Sequence, residues 1–183
     1  METKCQYECF ICKKSFTNEM LLGEHFLQNH DINSLIEAEI PKIKFNDYDN
    51  LDPNVNMIFV YGTLRPDSTK AWSKTLYKIG KVTTEKATIS HACLFREDEK
   101  QYPTVIYSEK ENSKEDIVHG YLITSTDFKK LLECADDIEC CPKLYQRIIV
   151  DCKLKDKNVK AYLYTKIFNP SMTRIMSGDF MNQ

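Results

Sequence analysis

The sequence predicts an α+β fold in which a mostly antiparallel or mixed sheet is accompanied by few, short helices. Two observations favour this class: strand-like apolar runs outnumber helical patterns, and the helical patterns are short. With 183 residues, the chain has room for one core domain of roughly 125 to 150 residues and a smaller N-terminal unit. The pattern alone leaves a small closed barrel and a sandwich both open.

The first predicted strand of the core is Met57–Val60, a continuous apolar run. It stops at Tyr61-Gly62-Thr63, which indicates that a buried strand runs into a tight loop. Ser68 can cap a short helix that Gly80 ends. The apolar positions of this helix are Trp72, Leu76 and Ile79.

Further strands follow this helix, and one more helix interrupts them. The helix is predicted over Thr126–Asp137, where Thr126 offers an N-cap and apolar residues recur at helical spacing. The predicted strands are Ala87–Phe95, Thr104–Tyr107, Ile117–Thr124, Arg147–Leu154 and Val159–Thr165.

The composition is that of an ordinary globular protein and excludes several classes. Hydrophobic residues make up 42%, charged residues 28%, and the formal net charge is −2, so no polyanionic partner is indicated. No stretch approaches the roughly 18 to 20 apolar residues that span a bilayer, and the N-terminus is too polar for a signal peptide. We therefore expect no membrane partner and a cytoplasmic location, in which the eight cysteines serve as thiols and metal ligands.

A metal site is predicted from the spacing Cys9-x2-Cys12-x12-His25-x4-His30. Two thiolates on a β-hairpin and two imidazoles on one helix face can converge tetrahedrally on Zn²⁺. The sequence therefore predicts a ββα zinc finger over residues 1–34 with a structural zinc ion; the alternative is scattered ligands in a disordered N-terminus. The framework residues of the finger are Tyr7, Phe16 and Leu22.

The charge of this finger argues against binding to nucleic acid. Residues 1–30 contain three Lys and four Glu, so the basic surface of a nucleic-acid binder is missing. A single finger also reads only about three base pairs. By similarity to DNA-reading fingers, the base-contacting positions would be Asn18, Leu21 and Glu24. We expect a protein-contacting or purely structural finger, and a nuclear location stays open.

Two motifs in the core domain indicate its chemistry. The first is Phe59–Leu64 (FVYGTL), and the second is Glu139–Arg147 (ECCPKLYQR) about eighty residues later. With Tyr102–Ile106 and His119–Tyr121 between them, the chain resembles the γ-glutamylcyclotransferase superfamily over roughly residues 57–180. The second motif is most similar to the γ-glutamylamine cyclotransferases of the avirulence-induced-like group.

The resemblance implies a small β-barrel with flanking helices and a defined reaction. Family members release the amine of a γ-glutamyl amide while the glutamyl group closes to 5-oxoproline, without a cofactor. In the amine branch the implied substrate is γ-glutamyl-ε-lysine. The substrate loop maps onto Tyr61, Gly62, Thr63 and Leu64, and the catalytic glutamate maps onto Glu139. The resulting division is a zinc finger at 1–34, a linker at 35–56 and a cyclotransferase-like domain at 57–183.

The residues are chemically suited to these roles. The substrate's own α-amine is the nucleophile, so the enzyme supplies orientation and a proton carrier, for which Glu139 is suited. We expect its pKa to be raised by the helix dipole and by Asp136 and Asp137. Tyr145 is expected to wall the pocket or hydrogen-bond the substrate, and Arg147 to pair with a nearby acid.

Other interpretations of the same residues stay open. The same chemistry can act on γ-glutamyl-amino acids, and a non-catalytic adaptor could keep the barrel as a binding module. A glutamate after a helix is usually a solvated surface residue, and Cys140-Cys141 invites a thiol nucleophile, although no nearby histidine is indicated. The stretch Arg65–Thr69 departs from the family pattern, which leaves the substrate less defined than the reaction.

Overall fold

The computed structural model describes residues 7–8, 15–16, 48, 51–97, 102–108 and 112–182. The chain divides into two compact units, Met1–Lys44 and Phe45–Gln183. Within the described part of the chain, neither helix has the length and apolar composition that crossing a bilayer requires.

The first unit contains a short two-stranded antiparallel sheet. Strand β1 (Tyr7–Glu8) pairs with β2 (Ser15–Phe16), so that Tyr7 lies opposite Phe16. The predicted zinc ligands and the predicted finger helix lie outside the described residues, and the zinc finger stays a prediction. These ligands are Cys9, Cys12, His25 and His30.

The second unit is built around a closed five-stranded barrel. The strand order is β3-β7-β4-β8-β9, in which β3 and β9 are parallel and the other neighbours are antiparallel. The predicted mixed barrel with flanking helices is therefore confirmed for this unit, and the sandwich alternative is excluded. Its elements are β3 (Ile58–Val60), α1 (Ala71–Leu76), β4 (Val82–Ile89), β5 (Ala92–Glu97), β6 (Pro103–Tyr107), β7 (Val118–Ser125), α2 (Phe128–Glu139), β8 (Gln146–Leu154), β9 (Lys157–Thr165) and β10 (Met172–Arg174).

A second sheet, with the order β10-β5-β6, shows that the predicted strand Ala87–Phe95 was wrong. The strand conformation is interrupted at Ser90 and His91, and His91 adopts a positive φ of 55°. Its backbone carbonyl accepts a hydrogen bond from the side-chain amide of Asn112 at 3.0 Å. The predicted strand is in fact the end of β4 and the start of β5, which lie in different sheets.

Both helices begin later than predicted. The predicted cap Ser68 instead accepts a hydrogen bond from the backbone N–H of Lys70, and α1 starts at Ala71. In α2 the N-cap is Asp127, whose carboxylate accepts from the N–H of Lys130 at 3.3 Å. Helix α2 also extends two residues further than predicted, so that Glu139 is its last residue.

The core has two layers because successive strand residues face opposite sides. Phe59 of β3 belongs to a cluster with members from all five barrel strands, which fills the barrel interior. Its neighbours Ile58 and Val60 face outward and pack with Leu131 and Leu132 of α2. Helix α2 is thereby held on the outside of the barrel, beside the end of β3.

Candidate active site

The bend that follows β3 opens into a cavity of about 420 Å³. This volume lies in the range of small-molecule sites, roughly 300 to 1,000 Å³. The structure brings together all residues that the sequence predicted for catalysis and substrate binding. The residues of this set that line the cavity are Tyr61, Gly62, Thr63, Leu64, Glu139 and Tyr145.

Glu139 reaches the cavity because of its position on α2. It lies one turn after Ala135 and Asp136, both of which are buried, so its side chain shares their inward face. The helix ends immediately afterwards, at Cys140, which adopts a left-handed conformation with φ 50°. The backbone N–H of Cys141 then donates to the carbonyl of Asp136 at 2.9 Å, which closes the helix end.

Burial in this cavity raises the pKa of Glu139 from its ordinary 4.5 to about 7. The nearby ammonium of Lys166 opposes the rise. The sequence-based expectation of a raised pKa is thus confirmed in direction, but its assigned cause was wrong. Desolvation of the carboxyl is the main cause, rather than repulsion from the acids that precede it in the helix.

The charge of Asp136 is balanced within a buried network. The guanidinium of Arg147 donates to Asp136 Oδ2 at 2.5 Å, and the hydroxyls of Tyr48 and Tyr164 each donate to the same carboxylate at 2.6 Å. Asp136 is 3% exposed and Arg147 2% exposed. The expected pairing of Arg147 with a nearby acid is therefore confirmed, and the network fixes the last turn of α2 to β8 and β9.

The two predicted site tyrosines, Tyr61 and Tyr145, line the cavity. The buried hydroxyl of Tyr61 donates to the backbone carbonyl of Tyr164 at 2.8 Å, and burial raises its pKa well above the ordinary value. The hydroxyl of Tyr145 donates to the carbonyl of Pro103 at 3.2 Å. Both side chains therefore line the cavity, and the Tyr61 hydroxyl proton is directed to the protein's own backbone.

The bend is stabilised by hydrogen bonds and ion pairs from side chains that do not line the cavity. The carbonyl of Leu64 accepts from the hydroxyl of Tyr77 at 2.8 Å. The Arg65 guanidinium pairs with Asp67 at 2.7 Å and with Asp179 at 2.5 Å. The stretch in which this sequence departs from the family pattern therefore anchors the bend to the C-terminal segment, away from the cavity wall.

Glycine is required at position 62 because the ring of Pro103 lies against it. Substitution of Gly62 is therefore expected to distort the bend. A Cβ at this position would lie 2.5 Å from Cγ and 2.8 Å from Cδ of Pro103, a rigid ring. Gly62→Ala should destabilise the domain by about 1–3 kcal/mol. It should also lower kcat/KM at least about tenfold, because the bend is displaced. Urea denaturation and turnover assays measure the two effects.

A rescue variant separates this steric effect from other causes. Pro103→Ala removes the two ring atoms that a Cβ would meet. The double variant Gly62→Ala/Pro103→Ala should therefore regain part of the stability lost in Gly62→Ala. Additive losses in the double variant would contradict the steric explanation.

Sequence reasoning assigned no role to several side chains around the cavity. Tyr102 and Pro103 line it, and the motif Tyr102–Ile106 carried that signal without a role being assigned. Lys166 lies beside it, with Nζ 4.4 Å from the ring centroid of Tyr145 and 5.8 Å from that of Tyr102. No motif marks Lys166, which simply follows the last residue of β9.

The cavity is equipped to move a proton. Glu139 is the only lining residue, among those described, with a carboxyl or ammonium group, and the other lining side chains are mostly apolar or aromatic. Cys140 also lines the cavity, but no histidine lies among its described lining residues, so the arrangement of a thiol nucleophile with its base is missing there. A carboxyl of pKa about 7 in this cavity can both accept and return a proton near neutral pH.

Comparisons with known proteins show the family and the fold of this domain. The family model described as gamma-glutamyl cyclotransferase, AIG2-like, matches residues 58–182. An aig2-like protein from Mus musculus, solved at 1.90 Å, is 22% identical with a TM-score of 0.52, over 64% of this chain and 81% of that one. The solution structure of A2LD1 is 22% identical with a TM-score of 0.50, over 63% and 82% of the two chains. These two likenesses show the fold alone, and a search of curated proteins returned no match. Because the family model covers more than half of the sequence, the chain belongs to the AIG2-like gamma-glutamyl cyclotransferase family.

Proposed function

We propose that this protein is a γ-glutamylamine cyclotransferase, which releases the amine of a γ-glutamyl amide and forms 5-oxoproline. The observation that carries the proposal is that the Glu139 carboxyl and the bend Tyr61–Leu64 line the same cavity. Family membership supports the reaction class. The substrate we propose is γ-glutamyl-ε-lysine, in which the leaving amine is the side chain of lysine.

The reaction needs ring closure and a proton carrier. The α-amine of the bound glutamyl group attacks its own γ-carbonyl carbon, the new C–N bond closes the ring, and the amide C–N bond to the leaving group breaks. Two protons of the original ammonium are lost as the ring N–H forms, and the Glu139 carboxylate passes them to the leaving nitrogen, which departs as an ammonium ion. The cavity contributes by holding the two ends of the glutamyl group in contact.

The pKa of Glu139 predicts the acid limb of the activity profile. Because Glu139 must be ionised to accept a proton, kcat/KM should fall about tenfold per pH unit below a midpoint of about 7. The midpoint is read from turnover of γ-glutamyl-ε-lysine measured between pH 5 and 9 at subsaturating substrate. A profile with no acid limb above about pH 5.5, as a glutamate with the ordinary pKa of 4.5 would give, would contradict a buried carboxyl as the base.

The substrate class is tested by comparing two amides. Purified protein is incubated with γ-glutamyl-ε-lysine and, separately, with γ-glutamyl-alanine, and 5-oxoproline is assayed. Preferential turnover of the first supports the proposal, whereas turnover of the second alone would assign the protein to γ-glutamyl-amino acids. Absence of 5-oxoproline from both would favour the non-catalytic adaptor.

We also propose a structural Zn²⁺ bound by Cys9, Cys12, His25 and His30. The ligand spacing supports it, as does the antiparallel pairing of β1 and β2, the strands that flank the two cysteines in the sequence. Native mass spectrometry of the full chain should find one zinc ion per chain and none in Cys12→Ala. Cys140→Ala, which changes a cysteine in the other unit, should keep the metal. Retention of zinc by Cys12→Ala would overturn this assignment.

A further inference from the structure

Tyr48 connects the chain before β3 to the end of α2. Its hydroxyl donates to Asp136 Oδ2 at 2.6 Å, and the Arg147 guanidinium lies over its ring at 5.7 Å from the centroid. Tyr48 is half-buried, and it precedes residues 58–182, which the family model matches. A side chain from outside the matched region therefore takes part in the buried network around Asp136.

The described residues that follow Tyr48 are anchored to the barrel. Val55 is 2% exposed and belongs to the apolar cluster that holds α2 on the barrel, and Leu51 packs against the same cluster. The carbonyl of Met57 then accepts from the backbone N–H of Tyr162 at 2.9 Å. Because this anchor lies close to Tyr48 in the sequence, little chain entropy is lost when Tyr48 joins the network.

Asp136 connects this network to Glu139, which lies one turn later in α2. The Asp136 carboxylate is bonded to β8 through Arg147 and to β9 through Tyr164. Its backbone carbonyl accepts from the N–H of Cys141, which lies beyond the helix end. Asp136 therefore holds the chain on both sides of Glu139, and a shift of Asp136 would displace the Glu139 side chain as well.

Tyr48 supports Asp136 in two ways. Its hydroxyl donates to a carboxylate that is 3% exposed, and a buried carboxylate that loses a donor is destabilised. Its ring covers the Arg147 guanidinium, which keeps water from the Asp136–Arg147 ion pair and strengthens the attraction between the two charges.

On the basis of the proposed function, we propose that Tyr48 is a positioning residue, which holds the last turn of α2 so that the Glu139 carboxyl stays in the cavity. The bend Tyr61–Leu64 is stabilised separately by Tyr77 and Arg65, so substrate binding does not depend on Tyr48. Tyr48 thus supports kcat rather than KM, and the catalytic unit of this protein includes a residue that precedes the region matched by the family model.

The test replaces Tyr48 in the full chain and measures kcat and KM separately. Tyr48→Ala removes the ring and the hydroxyl, and it should lower kcat by about 10- to 100-fold while KM changes less than about threefold. Tyr48→Phe keeps the ring over Arg147 and should lower kcat by only about three- to tenfold. The assay uses whichever amide the wild type turns over, γ-glutamyl-ε-lysine or γ-glutamyl-alanine.

Ile89→Val is the control for a purely structural effect. Ile89 is buried in the barrel interior and does not line the cavity, so this variant should lower the stability of the domain. It should change neither kcat nor KM. An unchanged kcat in Tyr48→Phe and in folded Tyr48→Ala would assign Tyr48 to the same structural class and overturn the inference.

A measurement without turnover separates this inference from the proposed function. The Glu139 carboxyl is titrated by carbon-13 NMR, and its signal is assigned by its absence from Glu139→Gln. Because burial raises the pKa of Glu139 to about 7 and Lys166 opposes the rise, a more exposed carboxyl should titrate at lower pH. Its acid dissociation constant should increase at least about threefold in Tyr48→Ala and stay unchanged in Ile89→Val.

This increase supports the inference even where neither amide is turned over, in which case the proposed function alone fails. Tyr48→Phe should move the titration in the same direction, and it decides the matter where Tyr48→Ala does not fold. A Glu139 titration that is the same in the wild type and in the folded Tyr48 variants would overturn the inference and leave the proposed function standing.

Discussion

Glu139→Gln is expected to lower kcat by about 10²- to 10⁴-fold, the usual contribution of a positioned acid–base group. Glutamine has nearly the same shape, so it should fill the same place at the end of α2 and leave substrate binding nearly unchanged. It cannot accept a proton from the α-amine, so ring closure would stall. The measurement is 5-oxoproline release under saturating γ-glutamyl-ε-lysine. Asp137→Asn, two residues earlier and on the exposed side of α2, is the matched control and should keep full activity.

The same variant should become more stable than the wild type at alkaline pH. A carboxyl whose pKa is raised in the folded state contributes stability that is complete below its unfolded pKa and is lost as pH rises through the folded value. For Glu139 this window runs from 4.5 to about 7. The shift corresponds to about 3 kcal/mol. Urea denaturation should therefore give Glu139→Gln an advantage of up to about this size at pH 8 and little at pH 4.5.

The two measurements together distinguish a catalytic residue from a structural one. A residue that only supported the fold would lose stability and activity together when it is replaced. Glu139→Gln should instead lose activity while gaining stability above pH 7, the pattern of a site that tolerates an unfavourable buried charge for function. Loss of stability at pH 8, or a fall in kcat of less than about tenfold, would remove Glu139 from the proposed mechanism.

The sequence predicted best those elements whose residue pattern lies within the element itself. The apolar run before Tyr61 predicted β3 and its bend, and the helical spacing around Leu131 predicted α2. The strand Ala87–Phe95 failed because its break depends on the positive φ of His91 and on pairing with a second sheet. The periodicity of apolar residues within the segment reports neither of them.

The site was predicted only in part for the same reason. Glu139 and the bend belong to recognisable motifs, so their residues could be named before their contact was known. The cause of the raised Glu139 pKa could not be predicted, because burial depends on how α2 docks beside β3. Lys166 lies beside the cavity because it follows β9 and packs against Tyr145 and Tyr102, which come from elsewhere in the chain, and no local pattern reports this.

The second large effect is expected on replacing Arg147, which forms a buried ion pair with Asp136. Arg147→Met should destabilise the domain by about 3–5 kcal/mol, because the Asp136 carboxylate would stay buried with only two tyrosine hydroxyls as partners. This loss is a large fraction of the 5–15 kcal/mol that is typical of a folded domain, by the usual rough estimate. The free energy of unfolding from urea denaturation checks it.

An exposed ion pair of the same chain provides the control. Lys160 and Asp151 lie 3.1 Å apart, with side chains 55% and 63% exposed, so Lys160→Met should cost less than about 1 kcal/mol. The double variant Asp136→Asn/Arg147→Met removes both buried charges and should recover part of the loss seen in Arg147→Met alone. That recovery would show that the cost comes from an uncompensated buried charge. A double variant no more stable than Arg147→Met would instead assign the loss to the packing of the arginine between Tyr48 and Tyr162, over whose rings its guanidinium lies at 5.7 Å and 5.1 Å.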